Sequence, residues 1–230
     1  MLQHVWERAS QARYLSHIVI ATDDERIASE ARSFKASVRM TRSDHATGTD
    51  RVAEVASTDS AAYIVNIQGD EPLIDPEAID AAVLSLLGNP ELPMGTLKKR
   101  IEIPSEIENP NVVKVVTDHY ANAVYFSRSP IPHVREAADR SRAKWFKHIG
   151  LYVYQRDFLL RYSDLEVGPL EQLERLEQLR AMENGFKIRV VETDYESLGV
   201  DTPQDLELVK GLFEATTSDS EQQEQSGRKR

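Results

Sequence analysis

Apolar residues recur along this chain in two rhythms. β-branched runs predict strands at 17–22 (HIVIAT), 36–40 (ASVRM) and 63–67 (YIVNI). Helix-period patterns predict helices over 1–13, with Val5, Ala9 and Ala12 on one face, over 22–34, after a loop within 47–57, and over 75–87. Start signals agree with these bounds. Asp23 or Asp24 suits the cap of the second helix, and Asp75 caps the fourth with Pro76 at its first position. Strand and helix alternate, so the pattern predicts parallel strands with crossover helices, and ligands beyond the carboxyl ends of the strands.

The middle of the chain has a different rhythm. Residues 94–101, 112–118 and 122–128 read as strands without long helices between them, and two prolines interrupt 128–133. Another strand is expected at 146–155, a helix over roughly 169–184 with Leu170, Leu173, Leu176 and Leu179 on one side, a strand at 187–192 and a closing helix over 202–213. The pattern predicts one domain over 1–214, an α/β core with an antiparallel β-rich insertion over roughly 94–155. Residues 215–230 (ATTSDSEQQEQSGRKR) have almost nothing to bury and are expected to be disordered.

Composition narrows this little. The 230 residues are 40% hydrophobic and 29% charged, as in an ordinary soluble protein. The absence of Cys excludes disulfides, thiolate nucleophiles and zinc–thiolate sites, and fits a reducing cytoplasm. No run is long enough to span a membrane, and the start has no signal-peptide pattern. A net charge of −10 argues against duplex nucleic acid, yet leaves room for a nucleotide held by a local basic pocket or Mg²⁺.

The chemistry is suggested by carboxylates that have no capping task. In VNIQGDEPLIDP (65–76), Asp75 caps a helix, whereas Asp70 and Glu71 come too early for that and read either as a solvated turn or as a site. In LGVDTPQDLE (198–207), Thr202 and Asp205 form a capping-box-like pair before the helix that begins at Pro203, which leaves Asp201 over. Two spare carboxylates permit a magnesium site completed by water and substrate phosphate.

Three other stretches carry two readings each. In DHATGTDR (44–51), Gly48 allows close approach of a ligand to the backbone and Arg51 could meet a phosphate or base edge; the alternative is a plain helix start with Thr49 as cap. In KHIGLYVY (147–154), alternation places His148, Gly150, Tyr152 and Tyr154 on one face and Ile149, Leu151 and Val153 on the buried one, so His148 is structural or a ligand contact. Glu171, Glu174 and Glu177 line one helix row, either as a solvated face or with Glu177 and Gln178 accepting hydrogen bonds from a polyhydroxylated ligand.

Together DHATGTDR, VNIQGDEPLI, NPNVVKVV, YFSRSPIP, KHIGLYVY, PLEQLERLEQLR and GVDTPQDLE resemble, in order and spacing from Met1 to about Phe213, the 3-deoxy-manno-octulosonate cytidylyltransferases (CMP-Kdo synthetases). The resemblance implies a Rossmann-like nucleotidyltransferase sheet with the antiparallel β-rich elaboration, a homodimer, and the Mg²⁺-dependent reaction of CTP with Kdo to give CMP-Kdo and pyrophosphate. It implies that Asp70 and Asp201 are catalytic and hold the metal. His45, Thr47, Gly48, Thr49, Arg51 and Gln68 would face the nucleotide, with Thr47 where the family usually has Ser. Gln68, Arg128, His148, Tyr152, Glu177 and Gln178 would hold the sugar acid, Arg128 and His148 at its carboxylate and Glu177 and Gln178 at its hydroxyls.

The family begins with a strand and a glycine-containing basic loop, approximately IIPAR…SxRLPGKPL, ahead of the segment at which this sequence opens (MLQHVWERA). Lacking them, the sheet is expected to show unpaired strand edges and open apolar surface, and the chain is expected to be catalytically impaired. The rival readings are a cytidylyltransferase for another sugar acid (8-amino-Kdo or sialate), a sugar-acid binding module without turnover, and an unrelated α/β domain with solvated acidic turns.

Overall fold

The computed structural model describes residues 1–213; the expected tail of 215–230 lies outside the described residues. The elements run α1 (Leu2–Ala9), β1 (Val19–Thr22), α2 (Glu25–Ser33), β2 (Ser37–Met40), α3 (Gly48–Ser57), β3 (Tyr63–Asn66), α4 (Pro76–Leu87), β4 (Met94–Arg100), α5 (Pro104–Glu108), β5 (Lys114–Thr117), β6 (Ala123–Ser127), β7 (Phe146–Gln155), α6 (Arg156–Tyr162), α7 (Pro169–Glu174), α8 (Gln178–Glu183) and β8 (Ile188–Glu192). Residues 203–213 are helical.

β7 organises a six-stranded mixed sheet ordered β6-β5-β7-β4-β8, with β3 also paired to β7. One edge of β7 carries β4 antiparallel along most of its length. The other edge is shared: β3 lies antiparallel beside Tyr152–Gln155, while β5 meets β7 at Lys147. Between His148 and Tyr152 no strand pairs with β7 on that edge, so the sheet forks there. The antiparallel β3–β7 pairing corrects the expectation that β3 would sit in a purely parallel core; parallel pairs are β1–β2 and β4–β8.

The alternation read in β7 holds. Ile149, Leu151 and Val153 pack with Ile74, Ile79, Ala82 and Leu86, under α4. Tyr154 packs on the opposite face with Phe158, Leu159, Tyr162 and Leu179. Both faces are therefore covered, and β7 is the central plank of two cores. A Cβ at Gly95 would press within 3.0 Å of the Ser85 hydroxyl and 3.3 Å of Leu86, so glycine lets α4 lie close on β4.

The helix expected over 169–184 is two short helices. Arg175 takes a left-handed conformation (φ 54°) and breaks it. Leu176 and Leu179 are buried, but Leu173 is 81% exposed, so the leucine row does not share one face. The caps at Asp24, Asp75 and Thr202/Asp205 are as read. On α3 the cap is Thr47, whose hydroxyl accepts from the Asp50 amide, not Thr49.

β1 and β2 form a separate two-stranded sheet that is not hydrogen-bonded to the larger one. An apolar cavity of about 280 Å³ lies between the two sheets, lined by Val5, Ile18, Ile20, Ile64, Val65 and Val83 among others. Neither β1 nor β3 has a strand partner on its other edge among the described residues.

Candidate active site

The turn after β3 carries Gln68, Gly69, Asp70 and Glu71, and is tied down on three sides. The Val200 amide donates to the Asp70 carbonyl at 3.0 Å, which brings the chain just before Asp201 across this turn. The Arg8 guanidinium of α1 donates to the Ile74 carbonyl. Glu71 points inward, 7% exposed, and accepts from the Tyr195 hydroxyl (3.0 Å) and the Ser197 hydroxyl (2.8 Å). Burial pushes the Glu71 carboxyl pKa up, and the solvated-turn reading fails for this residue.

Asp70 is half-buried and Asp201 exposed. Neither side chain has a hydrogen bond or ion pair among the described residues, so both keep the spare status read in the sequence. Among those residues no group of three or more His, Asp or Glu gathers as a metal cage. Two free carboxylates on segments joined by a backbone hydrogen bond are a donor set that suits Mg²⁺, which takes its other oxygens from water and phosphate.

Gln68 is exposed, two residues beyond the end of β3 at Asn66, whose register partner is Tyr152. Because β3 and β7 are antiparallel, continuing past Asn66 leads along β7 towards Gly150 and His148, and so into the fork.

The wall of that fork is a chain of rings. His148 meets Phe126 edge-on (centroids 5.1 Å) and Tyr152 (5.4 Å); Tyr152 meets Tyr154, and Tyr154 meets Tyr162. The Tyr162 hydroxyl donates to the Glu177 carbonyl (2.6 Å), and the Glu177 carboxylate accepts from Thr49 (2.9 Å). Thr49, expected at the nucleotide, is thus linked to Glu177 and, through the rings, to Tyr152, both expected at the sugar acid. Burial raises the pKa of Glu177 and keeps Tyr152 protonated.

His148 of this wall is shifted in the opposite direction from its tyrosine neighbours. Desolvation pushes its pKa down to about 3, so the ring is neutral near pH 7. The Thr96 hydroxyl has one hydrogen, and it reaches the carbonyls of Ile149 (3.1 Å) and Leu151 (2.8 Å), which the irregularity in the β4–β7 register leaves turned towards it. Having donated there, Thr96 accepts from His148 Nε2 at 2.9 Å. That network assigns the hydrogen to Nε2 and leaves Nδ1 as an acceptor. A neutral acceptor nitrogen suits a hydroxyl donor.

Arg128 is held by backbone carbonyls. Its Nε donates to the Glu174 carbonyl (2.7 Å), and its terminal nitrogens to the carbonyls of Pro110 (2.9 Å) and Arg175 (3.4 Å). Of five guanidinium hydrogens these use three, and no carboxylate forms an ion pair with it among the described residues. The buried Lys114 ammonium holds the Arg128 carbonyl (2.6 Å) together with those of Asn109 and Val112, fixing the strand end. Gln178 is 3% exposed, and its Nε2 has no hydrogen-bond partner among the described residues. An orphaned buried donor in such a wall is the mark of a place that a ligand or water completes.

The acidic row is not a solvated face. Glu171 is buried against Arg180 (2.6 and 2.8 Å), Glu174 accepts from Ser127 and from the Arg128 amide, and Glu177 accepts from Thr49. Arg51 is engaged with Asp23 (3.0 Å) and the Thr41 hydroxyl, and His45 with Glu54, so neither is an open hand toward a phosphate. Thr47 is occupied as a cap, and Gly48 is exposed at the helix start with open space around it.

A model of the cytidylyltransferase family matches residues 1–188. A 3-deoxy-manno-octulosonate cytidylyltransferase of Solibacter usitatus is 70% identical over 94% of this chain and 85% of its own length. The chain belongs to this family. A second relative of the same name, from Syntrophotalea carbinolica, is 57% identical over 91% of the chain and 86% of its own. Among solved structures, a CMP:2-keto-3-deoxy-manno-octonic acid synthetase complexed with CTP superposes with a TM-score of 0.89 at 42% identity, covering 94% of this chain and 88% of that one. The α/β nucleotidyltransferase sheet is therefore the fold of a CMP-Kdo synthetase. The residues singled out for Glu71, Glu171 and Glu174 had no local signal: their partners lie across turns and between elements, beyond the reach of sequence spacing.

Proposed function

We propose that this chain transfers the cytidylyl group of CTP to Kdo in lipopolysaccharide synthesis, releasing pyrophosphate. The observation that supports the reading is a pair of carboxylates without structural duties among the described residues, on two segments that the Val200–Asp70 backbone hydrogen bond joins beyond β3. The likeness to a synthetase solved with CTP supports the nucleotide assignment.

In this reaction the anomeric oxygen of the sugar acid forms a bond to the α-phosphorus. The bond from that phosphorus to the bridging oxygen breaks, the electron pair leaves with pyrophosphate, and the hydroxyl proton passes to solvent. Such transfer depends on positioning and charge neutralisation. Asp70 and Asp201 would hold Mg²⁺, which when bound neutralises phosphate charge. Arg128 would use its two remaining hydrogens on the sugar carboxylate. His148 would accept from a hydroxyl through Nδ1, the orphaned Gln178 amide would donate to another, and Glu177 and Tyr152 would close the pocket. Gln68 stands between the two substrates. His45, Thr47, Gly48, Thr49 and Arg51 would shape the nucleotide side mainly through the helix start, since Arg51 and His45 already have partners. We place the enzyme in the cytoplasm as a homodimer; among the described residues no helix is long and apolar enough to cross a membrane.

The test is pyrophosphate release from CTP and Mg²⁺ with Kdo, 8-amino-Kdo and sialate offered separately. Kdo should be the best substrate. Asp70→Asn should cut the rate by roughly 10²–10³-fold with little change in melting temperature. A variant as fast as the parent would end the metal-pair reading, and a parent inert with every sugar acid would end the assignment for this chain.

A further inference from the structure

Residues 193–201 form no helix or strand, yet they deliver Asp201 to the candidate site. Their first part is anchored by the β4–β7 region: the Thr193 amide donates to the Lys98 carbonyl (2.9 Å), Lys99 donates to the Asp194 carbonyl (2.7 Å), and Glu196 pairs with Lys99 (3.1 Å) and Lys147. From Tyr195 to Val200 the turn after β3 also holds the segment. There the Glu71 carboxyl takes the hydroxyls of Tyr195 and Ser197, and the Asp70 carbonyl takes the Val200 amide.

A carboxyl at 7% exposure is an expensive choice for packing alone, because desolvation opposes it and an apolar side chain would fill the space better. What a carboxyl supplies is two acceptor oxygens on one rigid plane. Here each oxygen takes a different hydroxyl, from residues two apart in the chain. That geometry fixes the direction of the irregular segment directly before Asp201, and it does so from the residue next to Asp70.

We infer that Glu71 is a positioning residue: by gripping Tyr195 and Ser197 it sets where Asp201 stands relative to Asp70. This rests on the proposed reading of those two aspartates as a metal-holding pair. Glu71 itself touches neither metal nor substrate, and acts through the 195–201 segment.

The experiment uses the full chain with CTP and Mn²⁺ and no sugar acid. It reads free Mn²⁺ by electron paramagnetic resonance, and the exchange of the Val200 amide by hydrogen–deuterium exchange. Tyr195→Phe combined with Ser197→Ala removes both hydroxyls and leaves Glu71 in place, while Glu71→Ala removes the grip itself. Both should weaken Mn²⁺ by roughly 10-fold or more, the range seen when residues supporting metal ligands are lost, and both should speed Val200 exchange. Glu71→Gln, which keeps one acceptor oxygen, should recover part of both. Should Glu71→Ala not fold, the hydroxyl-deleted variant stands alone as the test. Parent-like Mn²⁺ affinity together with parent-like Val200 exchange in the folded hydroxyl-deleted variant would overturn the inference. If the parent takes up no Mn²⁺ with CTP, the metal reading fails, and the Val200 exchange in the same variants still decides whether Glu71 fixes the crossing.

Discussion

The two sides of the candidate site are built differently. The Asp70–Asp201 corner presents carboxylates that hold nothing among the described residues, while the wall from His148 through Tyr162 to Glu177 is also part of a hydrophobic core. The corner has been kept free of structural work. The wall does both, so several of its polar groups have buried partners, while Nε2 of Gln178 has none among the described residues. Substitutions in the corner should cost chemistry and spare the fold; substitutions in the wall should cost both.

The largest effect expected is in the wall. Arg180 lies over the Tyr162 ring (5.2 Å) and pairs with buried Glu171. Arg180→Ala would strand that carboxylate, at about 3–5 kcal/mol of unfolding free energy, measured by urea denaturation. A loss under about 1 kcal/mol would remove the distinction between wall and corner.

The next effect is a pH dependence. In the folded wall His148 resists protonation down to about pH 3, whereas in the unfolded chain it titrates near its ordinary value of 6.5. Between those values the unfolded state binds the extra proton, so stability falls as pH drops below about 6.5, by up to about 1.4 kcal/mol per pH unit from this one group. His148→Gln should flatten that part of the profile, read from denaturation midpoints at pH 7, 6 and 5. An unchanged slope would mean the imidazole is not shielded.

The smallest effect sits where the two styles meet. Thr47 caps α3 and is also a nucleotide-side candidate, so Thr47→Ala should cost about 1 kcal/mol of stability and move the KM for CTP modestly, while Thr47→Ser should restore both. If CTP affinity changes with stability intact, Thr47 belongs with the corner.

Sequence reading went furthest where the cause was local. The caps at Asp24 and Asp75, the Thr202–Asp205 box and the alternation of β7 each need only neighbouring residues. The spare status of Asp70 and Asp201 was also legible, because it follows by subtraction from those caps. Reading failed where a partner came from elsewhere. The break at Arg175 puts a non-glycine residue in a left-handed conformation, which composition does not announce. Glu183 caps α7 from α8 by accepting from the Leu170 and Glu171 amides, a signal that no N-terminal motif carries. Glu171 reaches Arg180 only because the helix is interrupted between them, and Arg51 looked available because Asp23 lies far back in the chain.

The hydroxyl of Thr96 has a consequence out of proportion to its size. It sits on β4, fully buried, and yet it decides which nitrogen of His148 is left without its hydrogen. If His148 meets the sugar acid as proposed, selectivity there would be set from behind, by a side chain buried in the sheet.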